Sequence, residues 1–251
     1  MTKFDLRQQD CIQGMSRLRD EDVDLVTTSP PYNLGVGYRK YFDRQDRQSY
    51  LRWCRKWAAQ VRRILKSNGS FFLNIGSAPS NPMLPYEIAI ELRDLFVLQN
   101  TIHWIKSITI EDREGDLQSH GHFKPINSKR FLNDCHEYIF HFTKSGRVEI
   151  ERLALGVPYQ DKPNIARWRH TRGSDLRCRG NTWFIPYETI QSRAKGTTAS
   201  GNVSSAISRM VHQAARRVAR SDNARPVSRN RKFRCCGAKM RRQKIYRVRN
   251  R

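Results

Sequence analysis

The chain has 251 residues, enough for one large domain or one domain with an insert, and 38% of them are hydrophobic. Lys and Arg outnumber Asp and Glu by 47 to 23, a net charge of +24 that points to a polyanionic partner, most often nucleic acid. No apolar run is long enough to span a membrane and MTKFDLRQQD has no signal-peptide pattern, so the expectation is a cytoplasmic protein with no membrane partner.

In chain order, VDLVTTS is a short β-branched run that ends at prolines, the pattern of a buried strand. SYLRWCRKWAAQVRRILKSNG carries Tyr50, Cys54, Trp57, Ala58, Val61, Ile64 and Leu65 at helical spacing, with basic residues on the other face. Asn68-Gly69 is expected to stop this helix, because glycine accepts the left-handed conformation. SFFLNIG reads as a strand, PYEIAIELRDLFV as a second amphipathic helix, and TIHWIKS and EYIFHFTKSG as further strands. Alternation of strands and helices predicts an α/β fold with helices on both faces of a βαβ sheet. Ligands of such sheets bind at the carboxyl ends of the strands. The six cysteines (Cys11, Cys54, Cys135, Cys178, Cys235, Cys236) form no CxxC pair or metal-spaced cluster and read as reduced thiols.

Beyond Lys195 the texture changes. From residue 196 onward there are 16 Lys/Arg and one acid, Asp222, so +15 of the +24 lies there, and hydrophobic periodicity is lost.

The stretch LVTTSPPYN (25–33) ends the first predicted strand in a rigid corner. Prolines fix φ and offer carbonyls without competing N–H groups. Ser29, Pro30, Pro31 and Tyr32 thus bring a hydroxyl, a carbonyl and an aromatic face into one patch. That patch suits a planar base bearing an exocyclic amine. The ring stacks on Tyr32, while Ser29 Oγ and the Pro30 carbonyl accept from the amino group. Two acceptors on its hydrogens draw the nitrogen toward tetrahedral geometry and free its lone pair for attack. Alone, such a corner more often simply ends a strand.

Residues 5–75, with DCIQGMSRLRDEDVDLVTTSPPYNLGVGYRKYFD followed by LKSNGSFFLNIGS, resemble the DNA amino-methyltransferases that modify cytosine N4 or adenine N6. HEYIFHFTKSG and GNTWFIPYETIQSRAK resemble later segments of that family. The resemblance implies a Rossmann-like sheet, S-adenosylmethionine as methyl donor, and double-stranded DNA as substrate. It also implies direct transfer to a flipped base without a covalent enzyme intermediate. Ser29, Pro30, Pro31 and Tyr32 become the catalytic corner, and the Ser form favours cytosine N4, with adenine N6 or a catalytically dead basic DNA-binding protein as alternatives. The resemblance implies that Asp10 contacts the cofactor adenine, and a modification role implies a cognate restriction endonuclease. The corner-first order matches the circularly permuted subgroup. On this basis 1–150 is the catalytic part and 151–190 the target-recognition segment, where Arg167, Arg169, Arg172, Arg177 and Arg179 suit phosphate or guanine contact. GVGYRKYFDR (35–44) reads equally as a loop over the base or a surface loop, and SHGHFKP (119–125) as a polar loop.

The subgroup should continue with His-Pro-Ala-x-Phe-Pro, then a strand ending in Asp-Pro-Phe-x-Gly-x-Gly, then an acid. None of these stands after Lys195. A shift of one base near codon 196 changes that, since only wobble positions are then free. Residues 196–205 permit Glu-Arg-Pro-His-Pro-Ala-Thr-Phe-Pro-Val, and 224–234 permit Leu-Asp-Pro-Phe-Leu-Gly-Ile-Gly-Asn-Ser-Ala. From Ile245 the same frame permits Phe-Ile-Gly-Phe-Glu-Ile. Residues 196–251 are therefore expected to be a frameshifted cofactor-binding region, with a genuine basic tail as the alternative. The sheet is expected to be incomplete after residue 195, and the 251-residue chain to bind cofactor poorly.

Overall fold

Strand β1 (Thr2–Gln9) leads into helix α1 (Cys11–Ser16), whose first turn is closed by Asp10: its carboxylate accepts from the Gln13 backbone N–H at 3.0 Å. The structure is a computed structural model that describes residues 2–35, 37–38, 41–121, 123, 126–171, 173–186, 205–215, 231–236 and 243–250. The β-branched run becomes β2 (Val23–Ser29), buried at six of its seven positions. A small ribbon, β3 (Gly37–Tyr38) with β4 (Tyr41–Phe42), precedes α2 (Arg47–Ile64).

Helix α2 is started by Asp46, which accepts from the Gln48 and Ser49 N–H groups. It buries Tyr50, Cys54, Trp57, Ala58, Val61 and Ile64, and each large apolar side chain so buried contributes roughly 1.5–3 kcal/mol. The helix ends at Ile64, not at Asn68-Gly69, because Leu65 is already extended. Strand β5 (Leu65–Ile75) begins there, and 66–69 form a bulge between the pairs Val23↔Leu65 and Leu25↔Ser70. Gly69 is needed for space, not for a left-handed turn: a Cβ would lie 2.8 Å from the Leu65 side chain and 3.1 Å from the Asp24 carbonyl.

After α3 (Leu84–Glu91) come β6 (Val97–Ile105), the hairpin β7 (Ser107–Glu111) with β8 (Leu117–Gly121), and β9 (His136–Thr143). Part of the stretch read as a polar loop, Ser119 to Gly121, is thus strand, and His122 lies outside the described residues. Two 3₁₀ turns (Lys162–Arg167 and Arg169–Thr171) lead to β10 (Thr182–Phe184).

The eight strands of the main sheet run β1-β12-β11-β2-β5-β9-β6-β10, where β11 is Arg231–Cys236 and β12 is Gln243–Asn250. β2 is parallel to β5 and β11, whereas β9 lies antiparallel between β5 and β6. The carboxyl ends of β1, β2, β5 and β6 and the amino end of β9 therefore share one edge. Strand side chains alternate between two cores. Val26, Phe71, Leu73, Ile75, Phe140 and Phe142 pack under α1, α2 and α3. Leu25, Phe72, Ile102, Trp104, Ile139 and Trp183 pack with Ile207, Val211 and Ala215 on the other face. Helices cover both faces of a Rossmann-like α/β sheet, as expected.

One expectation for the region after residue 195, that the sheet is incomplete there, is corrected. Helix α4 (Ser205–Ala214) has Ile207, Met210, Val211 and Ala214 at helical spacing, and the Ala214 carbonyl accepts from the Glu151 N–H at 2.8 Å. β11 and β12 extend the sheet from the edge of β2, in place of the expected gap. Backbone pairing requires only N–H and C=O groups, so an arginine-rich segment can supply it.

Candidate active site

β2 delivers Ser29 to the shared edge, 2% exposed, and both prolines after it are buried. The Tyr50 hydroxyl of α2 donates to the Pro31 carbonyl, which ties the corner to the helix beneath. Asn33 then reverses the chain at φ 55°, a left-handed value that asparagine tolerates. Its amide closes the following loop in both directions: Nδ2 donates to the Gln45 carbonyl at 2.9 Å, and Oδ1 accepts from the Gln45 N–H at 2.8 Å. The buried Asp43 carboxylate accepts from the Asn33 and Leu34 N–H groups, each at 3.0 Å. The corner is held at both flanks. Of 35–44, residues 36, 39 and 40 lie outside the described set.

Two other strand ends bring polar groups to Tyr32, and a third reaches it through Glu137. Its phenolic oxygen lies 2.8 Å from Ser29 Oγ and 2.8 Å from Asn74 Nδ2 at the end of β5. Its hydrogen is donated to Glu137 Oε2, 3.1 Å away at the start of β9. Asn74 Nδ2 also donates to Glu137 Oε2 at 2.7 Å, and Lys106, just past β6, donates to Oε1 at 3.1 Å. Burial, and next the negative charge of Glu137, push the Tyr32 phenol well above its ordinary range, so it stays protonated. Gly76 makes the approach possible: a Cβ there would meet Tyr32 Cε2 at 2.9 Å and Glu137 Cγ at 3.2 Å. Asn74 Oδ1 is buried and has no partner among the described residues.

Ser29, Pro30, Pro31 and Tyr32 are thus one unit, joined by Asn74, Lys106 and Glu137, which the sequence reading did not single out. A polar signal existed for two of them: Asn74 interrupts the apolar run SFFLNIG, and Glu137 opens an apolar strand. Asp10 lies on the same sheet edge, at the end of β1, with Oδ1 occupied in capping α1. Arg167 and Arg169 are exposed beside the 3₁₀ turns. Arg177 donates to the Cys178 carbonyl and Arg179 to the Leu155 carbonyl, both at 3.3 Å. Arg172 lies outside the described residues.

Among the described residues no thiol joins the network. Burial pushes Cys54 up to about 12, and Cys11, Cys54, Cys135 and Cys178 carry no disulfide. Among the described residues there is no group of three or more metal-ligating side chains, and no helix is long and apolar enough to cross a membrane.

The PvuII DNA methyltransferase (cytosine-N4-specific) is similar in structure, with a TM-score of 0.49 and 18% identity over 73% of this chain and 57% of that chain. The Type II methyltransferase M.MjaVI of Methanocaldococcus jannaschii is 34% identical over 91 residues, 35% of this chain and 47% of the relative. M.ScaI of Streptomyces caespitosus, also a Type II methyltransferase, is 33% identical over 136 residues, 52% of this chain and 41% of the relative. The chain therefore spans less than half the length of these two relatives. The family profile of the N6/N4 type, described as DNA methylase, matches residues 23–224, from the first residue of β2 to beyond α4. The chain belongs to the N6/N4 family of DNA methylases.

Proposed function

We propose that this protein transfers a methyl group from S-adenosylmethionine to the exocyclic amine of a base flipped out of double-stranded DNA, with cytosine N4 preferred over adenine N6. The observation that carries the reading is the Ser29–Tyr32 corner, buried and braced at the carboxyl edge of the sheet in a chain of the N6/N4 family. The target amine is inaccessible in the base stack, so the nucleotide must leave the duplex. The Tyr32 ring is the stacking platform, and Ser29 Oγ with the Pro30 carbonyl accepts the amine hydrogens. Ser29 in place of an acid supports cytosine. The Type II names of the relatives support a modification role beside a restriction endonuclease.

The donor set on the edge fits the cofactor in part. Asp10 would take the cofactor adenine with the carboxylate oxygen that does not cap α1. When bound, S-adenosylmethionine supplies an electrophilic methyl group. In this reading the glycine loop and the ribose-binding acid are encoded in the shifted frame of residues 196–251. The corner-first order, with a carboxy-terminal strand parallel to β2, supports the circularly permuted arrangement. Residues 151–190 carry target recognition, with Arg167, Arg169, Arg172, Arg177 and Arg179 contacting phosphate or guanine.

The test is incorporation of labelled methyl from S-adenosylmethionine into DNA by the 251-residue chain and by its frame-restored counterpart. Transfer that is lost in Ser29→Ala supports the reading. Absence of transfer in both forms overturns it.

A further inference from the structure

Glu137 shares one hydrogen-bond network with Tyr32, Asn74 and Lys106, and its consequence reaches Ser29. A carboxylate has acceptors only, whereas a hydroxyl or an amide can turn either way. Glu137 Oε1 faces the Lys106 ammonium, so the groups at Oε2 must donate. Tyr32 gives its hydrogen to Oε2 at 3.1 Å, and Asn74 turns its NH₂ to the same oxygen at 2.7 Å. The Tyr32 oxygen, having given up its hydrogen, can only accept. Ser29, 2.8 Å from it, therefore donates inward; Asn74 Nδ2 reaches its oxygen only at 3.5 Å, which leaves acceptor capacity on Oγ for a ligand. The same orientation leaves Asn74 Oδ1 as an acceptor without a partner.

We propose that Glu137, acting through Tyr32, is a positioning residue that sets Ser29 as a hydrogen-bond acceptor and so selects an amino group over a carbonyl at the target position. The inference rests on the methyltransferase reading above. It explains why Ser29, which could donate or accept, can stand where an acid would be acceptor by nature. The groups around Glu137 are Lys106 from the end of β6, Tyr32 from the corner, Asn74 from β5, and its chain neighbour His136. Each of these has a hydrogen to give, whereas the Glu137 carboxylate has acceptors only.

Glu137→Gln tests this with almost no change in shape. The new NH₂ donates to Tyr32, Tyr32 then donates to Ser29, and the Ser29 hydrogen turns toward the ligand amine. Methyl transfer should fall by about 10²-fold, the scale of removing one preorganised polar group from a reaction centre. Tyr32→Phe breaks the chain without reversing it and should cost less, about tenfold, which is below that scale. The double variant should behave like Tyr32→Phe and thus transfer methyl faster than Glu137→Gln alone. A readout independent of activity is the ultraviolet titration of Tyr32, taken as the difference from Tyr32→Phe: its phenol should ionise at lower pH once the Glu137 charge is gone.

Wild-type rates in Glu137→Gln, or a double variant reduced by the product of the two single losses, would overturn the proposal while methyl transfer itself stands. If Glu137→Gln does not fold, the rate of Tyr32→Phe decides, and a wild-type rate there overturns the proposal. If the wild type transfers no methyl in either form, the functional reading fails and this inference fails with it.

Discussion

Tyr32 donates its phenolic hydrogen to Glu137 across 3.1 Å, although 105 positions separate them in the chain. Only the sheet order makes them neighbours: β9 runs antiparallel beside β5, so its first residues lie level with the ends of β2 and β5. The edge built this way carries a hydroxyl, a phenol, an amide, an ammonium and a carboxylate in one connected set.

Gly76 is the position where this set is most easily disturbed. In Gly76→Ala the new methyl would press on Tyr32 and Glu137, and overpacking of this kind costs about 1–3 kcal/mol. The expected outcome is a protein that still melts cooperatively but transfers methyl at least roughly tenfold more slowly, as misplaced reacting groups do. Melting and methyl-transfer assays on the same preparation check both halves. Full activity would show that the Tyr32 ring need not lie where it does.

Tyr32→Ala removes the stacking face altogether. Loss of one base stack is worth on the order of 1–3 kcal/mol, so activity should fall steeply while affinity for S-adenosylmethionine changes little. Turnover equal to wild type would rule out the role given to Tyr32.

His141 provides a pH prediction away from the site. It is buried in β9, stacked on Phe72 at 4.3 Å, with Asn100 and Ser70 at its two ring nitrogens. Burial lowers its pKa from 6.5 to about 4. The unfolded chain therefore binds a proton between these values and the folded chain does not, so stability rises with pH across that window. The contribution is full above about pH 6.5 and fades as pH falls toward 4, by roughly 3 kcal/mol in total. Denaturant midpoints should drop between pH 7 and 5 in the wild type, and less so in His141→Gln. Equal drops in both would contradict the assignment.

Much of this molecule was legible in the letters, and the exceptions have physical causes. The apolar stripe from Tyr50 to Ile64 fixed helix α2 because periodicity is a local property. Its end was misplaced because Asn68-Gly69 has the chemistry of a helix stop yet serves a bulge against Leu65 and Asp24. The Ser29–Tyr32 corner could be found since its rigidity is covalent. Glu137 and Lys106 could not, because their meeting depends on an antiparallel insertion between β5 and β6 that no spacing reveals. Helix α4 was missed because its stripe of Ile207, Val211 and Ala214 is embedded in arginine-rich sequence.

The region after Lys195 yields a prediction about the gene. The charge change at that point and three hidden family segments in one shifted frame motivate it. Resequencing the gene, or sequencing a close relative, should show one base fewer near codon 196. A DNA sequence that keeps the frame, together with a mass spectrum of active enzyme carrying the arginine-rich segment, would contradict it.

We propose that the Ser29–Tyr32 corner directs methyl transfer to an exocyclic amine, cytosine N4 first. The most direct measurement is nucleoside mass spectrometry of DNA modified by the frame-restored chain, with Tyr32→Ala as the control. N4-methylcytosine should form and should disappear in the control. Methylation at cytosine C5, or N4-methylcytosine at equal level in Tyr32→Ala, would contradict it.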